Sequence, residues 1–328
     1  MIRWGLITIV YSVIALSGVE LIAEESIDQQ IMSRHLRLID TTPVNQPVIL
    51  RLDLELLELV RQAKSKPIGS QAAWVAAGMS PQAQLYRRFG MSDLSGFAKL
   101  LLGQAEYPHV SLHLDAYQGR NLSEEIQAAY RSCVENNGGA LPKAPIYKVA
   151  FGYQKQTNAA MEGRDRRTGR HIVILNLSAL AEGDNWEAAI LHETWHTFQG
   201  RIGKTLGERS VHEGMATYLT GVTDPDLQDH QLMMWTRSQW DAASQHHDAI
   251  LQAFADSVDS QDASAVNAFT KLNVPLSSVP DAPDRCGYYV GLLACRAWRQ
   301  EHPDRTIADL IATSAQDILQ SLPLEKSP

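Results

Sequence analysis

Apolar residues recur at helical spacing along most of the first 140 residues. A run near residue 52 places apolar side chains three or four positions apart, as on one face of an α-helix: Leu52, Leu56, Leu57 and Val60. The same pattern predicts helices over residues 52–64, 71–79, 94–102 and 121–134. We therefore interpret residues 24–140 as an N-terminal helical region.

Beyond residue 140 the pattern becomes strand-like. Residues 146–153 alternate between apolar and other side chains, and residues 171–177 form a continuous apolar run, so both predict β-strands. The polar and basic segment 154–169 between them predicts a loop. The remaining apolar pattern predicts five further helices, over residues 210–219, 227–245, 248–254, 288–299 and 307–319.

A strongly predicted helix follows the two strands. Asp184 and Glu187 have the D-x-x-E spacing of a capping box, and apolar residues fill the turns after them. This order predicts an α+β fold that is mainly helical, with a small β-sheet preceding this helix. We expect residues 141–328 to form one domain around it.

The first 23 residues have the features of a secretory signal peptide. A positive start at Arg3 precedes an uncharged apolar run over residues 4–19, and small residues follow it. The alternative is an uncleaved anchor, since the run approaches the length that spans a bilayer. Both interpretations predict export, with a periplasmic or secreted location, and membrane attachment only if the segment is not cleaved.

Composition narrows the classes of partner. The 328 residues carry 37 acidic and 29 basic side chains and a formal net charge of −8, which argues against nucleic acid as a partner.

Cys286 and Cys295 lie too far apart along one predicted helix to form a disulfide. Either Cys133 is bonded to one of them, or all three are buried thiols.

The predicted helix contains the sequence H-E-x-x-H. His192 and His196 lie one turn apart on one face, so both imidazoles can bind the same Zn²⁺ ion. Glu193 can reach a metal-bound water without being a ligand. The neighbouring side chains are apolar, which predicts that the helix is buried and that its polar groups need a partner such as a metal.

A third zinc ligand is expected from the segment that follows. Glu213 is the leading candidate, and Gly214 beside it would allow two helices to approach closely. His212 is a rival ligand. Alternatively, Ser210 and Glu213 form an S-x-x-E capping box, in which Glu213 only caps its own helix.

These motifs resemble the glutamate-zincins, in which H-E-x-x-H is followed by E-G-x-A. The chain is most similar to a bacterial family of predicted zinc-dependent proteases, which adds G-Y-x-x-G, here residues 287–291. The resemblance covers roughly residues 145–300 and implies a zincin-like metallopeptidase domain. It implies zinc ligation by His192, His196 and Glu213, Glu193 as general base, and Tyr288 as a donor to the oxyanion.

The resulting expectation is an exported zinc-dependent peptidase acting on a peptide or protein substrate. Zinc would acidify a bound water, and Glu193 would accept its proton as the water attacks the peptide bond. Tyr288, Tyr289 and Tyr218 are all candidates for stabilising the oxyanion. Two alternatives remain: a zinc-dependent hydrolase of a non-peptide bond, and a non-catalytic exported metal-binding protein.

Overall fold

The computed structural model describes most of the chain. The described ranges are residues 26–89, 91–104, 119–139, 141, 143–152, 159–180 and 186–323. The predicted signal peptide or anchor and Asp184 of the predicted capping box lie outside these ranges. Among the described residues, no helix has both the length and the apolar character needed to cross a bilayer.

The described residues form a four-stranded mixed sheet, which packs within one hydrophobic cluster of the core. Its strands are β1 (Val48–Arg51), β2 (Ile146–Ala150), β3 (Ala159–Arg164) and β4 (His171–Asn176). The spatial order is β1-β2-β4-β3. The strand β2 pairs in parallel with both β1 and β4, whereas β3 is antiparallel to β4.

Two of these strands were not predicted. The segment predicted as a loop contains β3, an edge strand with a register shift between Met161 and Gly163, so it lacks a regular alternation. The strand β1 is only four residues long and runs directly into a helix. It comes from the predicted N-terminal helical region, yet it pairs with β2. The division of the chain at residue 140 remains a prediction.

The described part of the chain is mainly helical, which confirms the α+β class. Its helices are α1 (Ile27–Thr41), α2 (Leu52–Ala63), α3 (Ile68–Met79), α4 (Ala83–Arg88), α5 (Leu94–Leu101), α6 (Leu122–Asn137), α7 (Leu177–Leu180), α8 (Trp186–His196), α9 (Leu206–Thr223), α10 (Asp229–Leu232), α11 (Arg237–Gln245), α12 (His247–Ala255), α13 (Ala263–Thr270), α14 (Cys286–Glu301), α15 (Ile307–Ala312) and α16 (Ala315–Gln320).

Two long predicted helices are each divided by a new helix start. The prediction over residues 227–245 covers α10 and α11, because Met234 has a positive φ and Thr236 caps α11. The prediction over residues 307–319 covers α15 and α16, because the Ser314 side chain accepts a hydrogen bond from the Asp317 backbone at the start of α16.

Helix α9 begins earlier than the sequence pattern predicts. Its capping box is formed by Thr205 and Glu208, whose side chain accepts from the Thr205 backbone N–H at 2.9 Å. The alternative capping box of Ser210 and Glu213 is therefore wrong. Glu213 lies in the interior of α9, where its carboxylate can face another helix.

Helix α8 is buried on all sides, as its apolar sequence predicts. Every residue of α8 except Glu187 is buried. One side packs with the sheet through residues such as Ile190, and the other packs against α9 and α14 through residues such as Trp195. The hydroxyls of Tyr147 in β2 and Thr194 in α8 are 2.8 Å apart and join the helix to the sheet.

Helices α9 and α14 cross in direct backbone contact. A Cβ added to Gly214 would overlap the backbone of Gly291, and one added to Gly291 would overlap the carbonyl of Ser210. Gly214 was expected to allow close approach to the H-E-x-x-H helix, but the helix it contacts is α14. The glycines of G-Y-x-x-G therefore serve helix packing, since Gly287 also faces Ser210.

The three cysteines are buried free thiols. Cys133 lies in α6, and Cys286 and Cys295 lie in α14. The alternative of a disulfide from Cys133 is therefore wrong, and the alternative of three buried thiols is confirmed.

We expect Gly291→Ala to destabilise the protein by about 3 kcal/mol, because the added methyl group forces α9 and α14 apart. Chemical denaturation of both proteins measures the difference. Gly69→Ala is the control, since Gly69 lies in α3 with nothing within 4 Å of an added Cβ. It should leave stability unchanged or raise it by up to about 1 kcal/mol. Equal effects of the two changes would contradict this account of the crossing.

Candidate metal centre

Three side chains from two helices converge on one point. His192 and His196 come from α8, and Glu213 comes from α9. The two imidazole Nε2 atoms are 3.0 Å apart, and the Glu213 Oε2 atom lies 3.3 Å from Nε2 of His192 and 3.1 Å from Nε2 of His196. Within the described residues, these three form the group of His, Cys, Asp and Glu side chains able to hold a metal ion.

The spacing of these atoms fits a tetrahedral zinc ion. Ligands at about 2.0–2.1 Å from zinc in tetrahedral geometry are separated by about 3.3 Å, close to the separations of 3.0 to 3.3 Å found here. Imidazole nitrogen and carboxylate oxygen are both ordinary zinc ligands, and three of them leave a fourth position. The residues present therefore fit the expected Zn²⁺.

Burial and charge determine how the three ligands hold protons before a metal binds. Burial lowers the pKa of His192 and keeps its imidazole neutral. Burial also lowers the pKa of His196, but attraction to Glu213 outweighs it and raises that pKa to about 9. Burial raises the pKa of Glu213, yet the attraction to His196 is stronger and holds it well below its usual value. One proton on His196 thus balances the Glu213 charge.

Glu193 lies beside the centre without joining it. Its side chain is buried in α8, and its negative charge raises the pKa values of both His196 and Tyr288. It is not one of the three converging side chains. The sequence predicted this combination of proximity and non-ligation.

Among the three candidate tyrosines, the structure brings Tyr288 to the centre. Its ring is parallel to the His192 imidazole, with a 2° interplanar angle and centroids 6.0 Å apart. Burial together with the Glu213 charge raises the pKa of its hydroxyl well above the usual value, so the hydroxyl remains a neutral donor. Tyr289 instead bonds to His247 at 2.9 Å, and Tyr218 interacts with Arg299.

His212, the rival third ligand, packs beside the centre. Its ring stacks on that of His196, with centroids 4.7 Å apart and an interplanar angle of 13°. Burial lowers the pKa of His212 to about 4, so its imidazole is neutral near pH 7. The three side chains that converge closely enough to hold a metal ion include Glu213 and not His212.

Sequence reasoning missed a basic residue near the centre. Arg285 precedes α14 in a left-handed conformation with φ of 57°, and its guanidinium carbon lies 5.7 Å from the centroid of the Tyr288 ring. Its positive charge contributes to the low pKa of His192. The hydrophobic pattern of the sequence does not identify Arg285, because its position near the centre depends on where α14 begins.

Comparison with known protein families gives a match over part of the chain. The sequence profile described as Gliding motility protein GldB matches residues 188–322, which is less than half of the chain. The match includes every residue of the centre described above. No curated protein and no solved structure matches the chain.

This family corrects the expected identity. The matching family is not a protease family, so the resemblance to the glutamate-zincins and the bacterial predicted proteases is wrong, as are the expected peptidase function and the protease description. H-E-x-x-H specifies only the placement of two imidazoles and a carboxylate on a helix, and this local geometry does not determine the reaction. A zincin-like fold remains a prediction.

The match agrees with the expected export, because the matching family is one of lipoproteins. The signal peptide and the periplasmic or secreted location remain predictions.

We expect zinc binding near pH 7 to release about one proton, because the proton on His196 must leave when its nitrogen binds the metal. Zinc affinity should therefore rise with pH up to about 9, the pKa of His196, and level off above it. Calorimetric titrations in buffers with different ionisation enthalpies count the released protons. Zinc binding with no proton release at pH 7 would contradict the predicted charge state of His196.

Proposed function

We propose that this protein is an exported zinc-binding protein whose centre has a non-catalytic role. The observation that carries the proposal is the convergence of His192, His196 and Glu213 at the separations of tetrahedral zinc ligands. The proposal includes a Zn²⁺ ion bound at this centre, export of the protein from the cytoplasm, and a protein as its partner. The acidic balance of the chain gives no reason to include nucleic acid.

The non-catalytic role is supported by the family match. The description of that family refers to gliding motility, and the matched residues 188–322 contain the three proposed ligands on α8 and α9. Zinc would join α8 to α9 and so stabilise the crossing of these helices, since a ligand that binds only the folded state raises its stability. We propose that the protein acts in a surface or motility apparatus as such a metal-stabilised component.

A second candidate is a zinc-dependent hydrolase of a non-peptide bond. Glu193 favours it, because a buried carboxylate that lies beside the ligands is not needed in a purely structural zinc site. Tyr288 would supply a neutral hydroxyl at the same centre. This candidate requires Glu193 to act as a base, which the first candidate does not.

The proposal predicts about one zinc per chain and a lower zinc content in Glu213→Ala, because two imidazoles alone hold the ion less tightly. Elemental analysis after dialysis against trace zinc measures both. Glu135→Ala, which removes an exposed carboxylate of α6, is the matched control and should bind as the native protein does. Unchanged stoichiometry in Glu213→Ala would remove Glu213 from the ligand set.

Glu193→Gln separates the two candidates. We expect this variant to keep its zinc, because Glu193 is not a ligand, and to retain biological function if the role is non-catalytic. Surface motility or growth of a source-organism strain carrying each variant measures function, with Glu213→Ala as the variant that should fail. Loss of function in Glu193→Gln with zinc still bound would reject the non-catalytic role and favour the hydrolase.

A further inference from the structure

The Nδ1 atom of His196, which faces away from the other two proposed ligands, is held by a side chain that sequence analysis did not identify. His196 Nδ1 donates to the side-chain oxygen Oε1 of Gln199 at 2.7 Å. Gln199 lies just beyond α8 and is only 7% exposed, so this bond is shielded from water. The bond directs Nε2 of His196 toward Glu213 and His192.

The same amide is fixed from its other side. Gln199 Nε2 donates to the backbone carbonyl of His212 at 2.9 Å. A carbonyl only accepts, so this bond requires the NH₂ group to face α9 and leaves Oε1 to face His196. A single side chain therefore connects a proposed ligand of α8 to the backbone of the residue that precedes Glu213.

His192 has a weaker equivalent. Its Nδ1 lies 3.5 Å from Oγ1 of Thr217, at the limit of a hydrogen bond. The Thr217 hydroxyl donates to the Glu213 backbone carbonyl at 3.0 Å, which leaves its oxygen to face His192. His192 is thus approached by a side chain of α9, whereas His196 is held by Gln199 from the segment between α8 and α9, and the contact to His196 is the shorter by 0.8 Å.

We infer that Gln199 is the positioning residue of the metal centre, orienting His196 and holding α8 and α9 at the separation that the metal requires. This inference rests on the proposed zinc site. The partner of a ligating histidine fixes its orientation, and loss of such a partner typically lowers metal affinity about 10- to 100-fold.

Three substitutions at one position distinguish positioning from general packing. Gln199→Met keeps the length and volume but neither hydrogen bond, and should weaken zinc binding about 10- to 100-fold in competition with a chelator. Gln199→Ala should weaken it at least as much. Gln199→Glu restores the acceptor for His196, so its affinity should exceed that of Gln199→Met. Gln245→Ala, an exposed glutamine at the end of α11, is the control and should bind as the native protein.

A second measurement does not depend on zinc. In the metal-free protein, the hydrogen-bonded Nδ1–H of His196 should give a ring ¹H–¹⁵N resonance protected from exchange, and this resonance should be lost in Gln199→Met. Persistence of the protected resonance in that variant would overturn the inference, as would equal zinc affinity of Gln199→Met and the native protein. If the native protein itself binds no zinc, the proposed function fails, while the resonance still decides whether Gln199 orients His196.

Discussion

The contact between helices α9 and α14 determines where the rest of the centre lies. Gly214 and Gly291 allow the two backbones to touch, and no larger residue fits at either position without separating them. Glu213 precedes Gly214, so the same contact fixes the carboxylate that faces α8. Tyr288 lies in the first turn of α14 and is brought against His192 by this packing. Removal of one glycine should therefore disturb both stability and ligand geometry.

Burial of the H-E-x-x-H helix creates the second constraint. Two imidazoles and two carboxylates lie in or beside an interior formed by the sheet, α9 and α14. Buried charge is costly unless it is balanced, and a shared proton on His196 or a divalent cation supplies that balance for Glu213. A cation binds all three ligand atoms at once, which a single proton cannot do. A metal therefore satisfies the three buried side chains more completely than a single proton does.

The side chains that converge at the centre could be predicted from the sequence more completely than the fold around them. Spacing of i and i+4 places His192 and His196 on one helix face wherever that helix lies. The S-x-x-E spacing alone could not show whether Glu213 is a ligand or only caps its own helix. The capping role is excluded because α9 begins earlier, with Thr205 as its N-cap. The edge strand β3 has no clear alternation, and β1 is too short for one, so pairing with the sheet, rather than local pattern, defines both.

The family resemblance failed for a related reason. Three motifs agreed with a peptidase family, yet the glycines of the third motif serve helix packing, and the profile that matches describes a gliding motility protein. Residues such as Gln199, which connect the ligands to the fold, follow no sequence template and become apparent only when the helices are in place.

X-ray absorption at the zinc edge would identify the atoms that bind the metal. We expect two imidazole nitrogens and one or more oxygens at about 2.0–2.1 Å from the zinc ion, and no sulfur. In Glu213→Ala the two imidazoles should remain visible in whatever zinc is still bound. A first shell containing a cysteine sulfur at about 2.3 Å, or one lacking imidazole, would contradict the assignment of the centre to His192, His196 and Glu213.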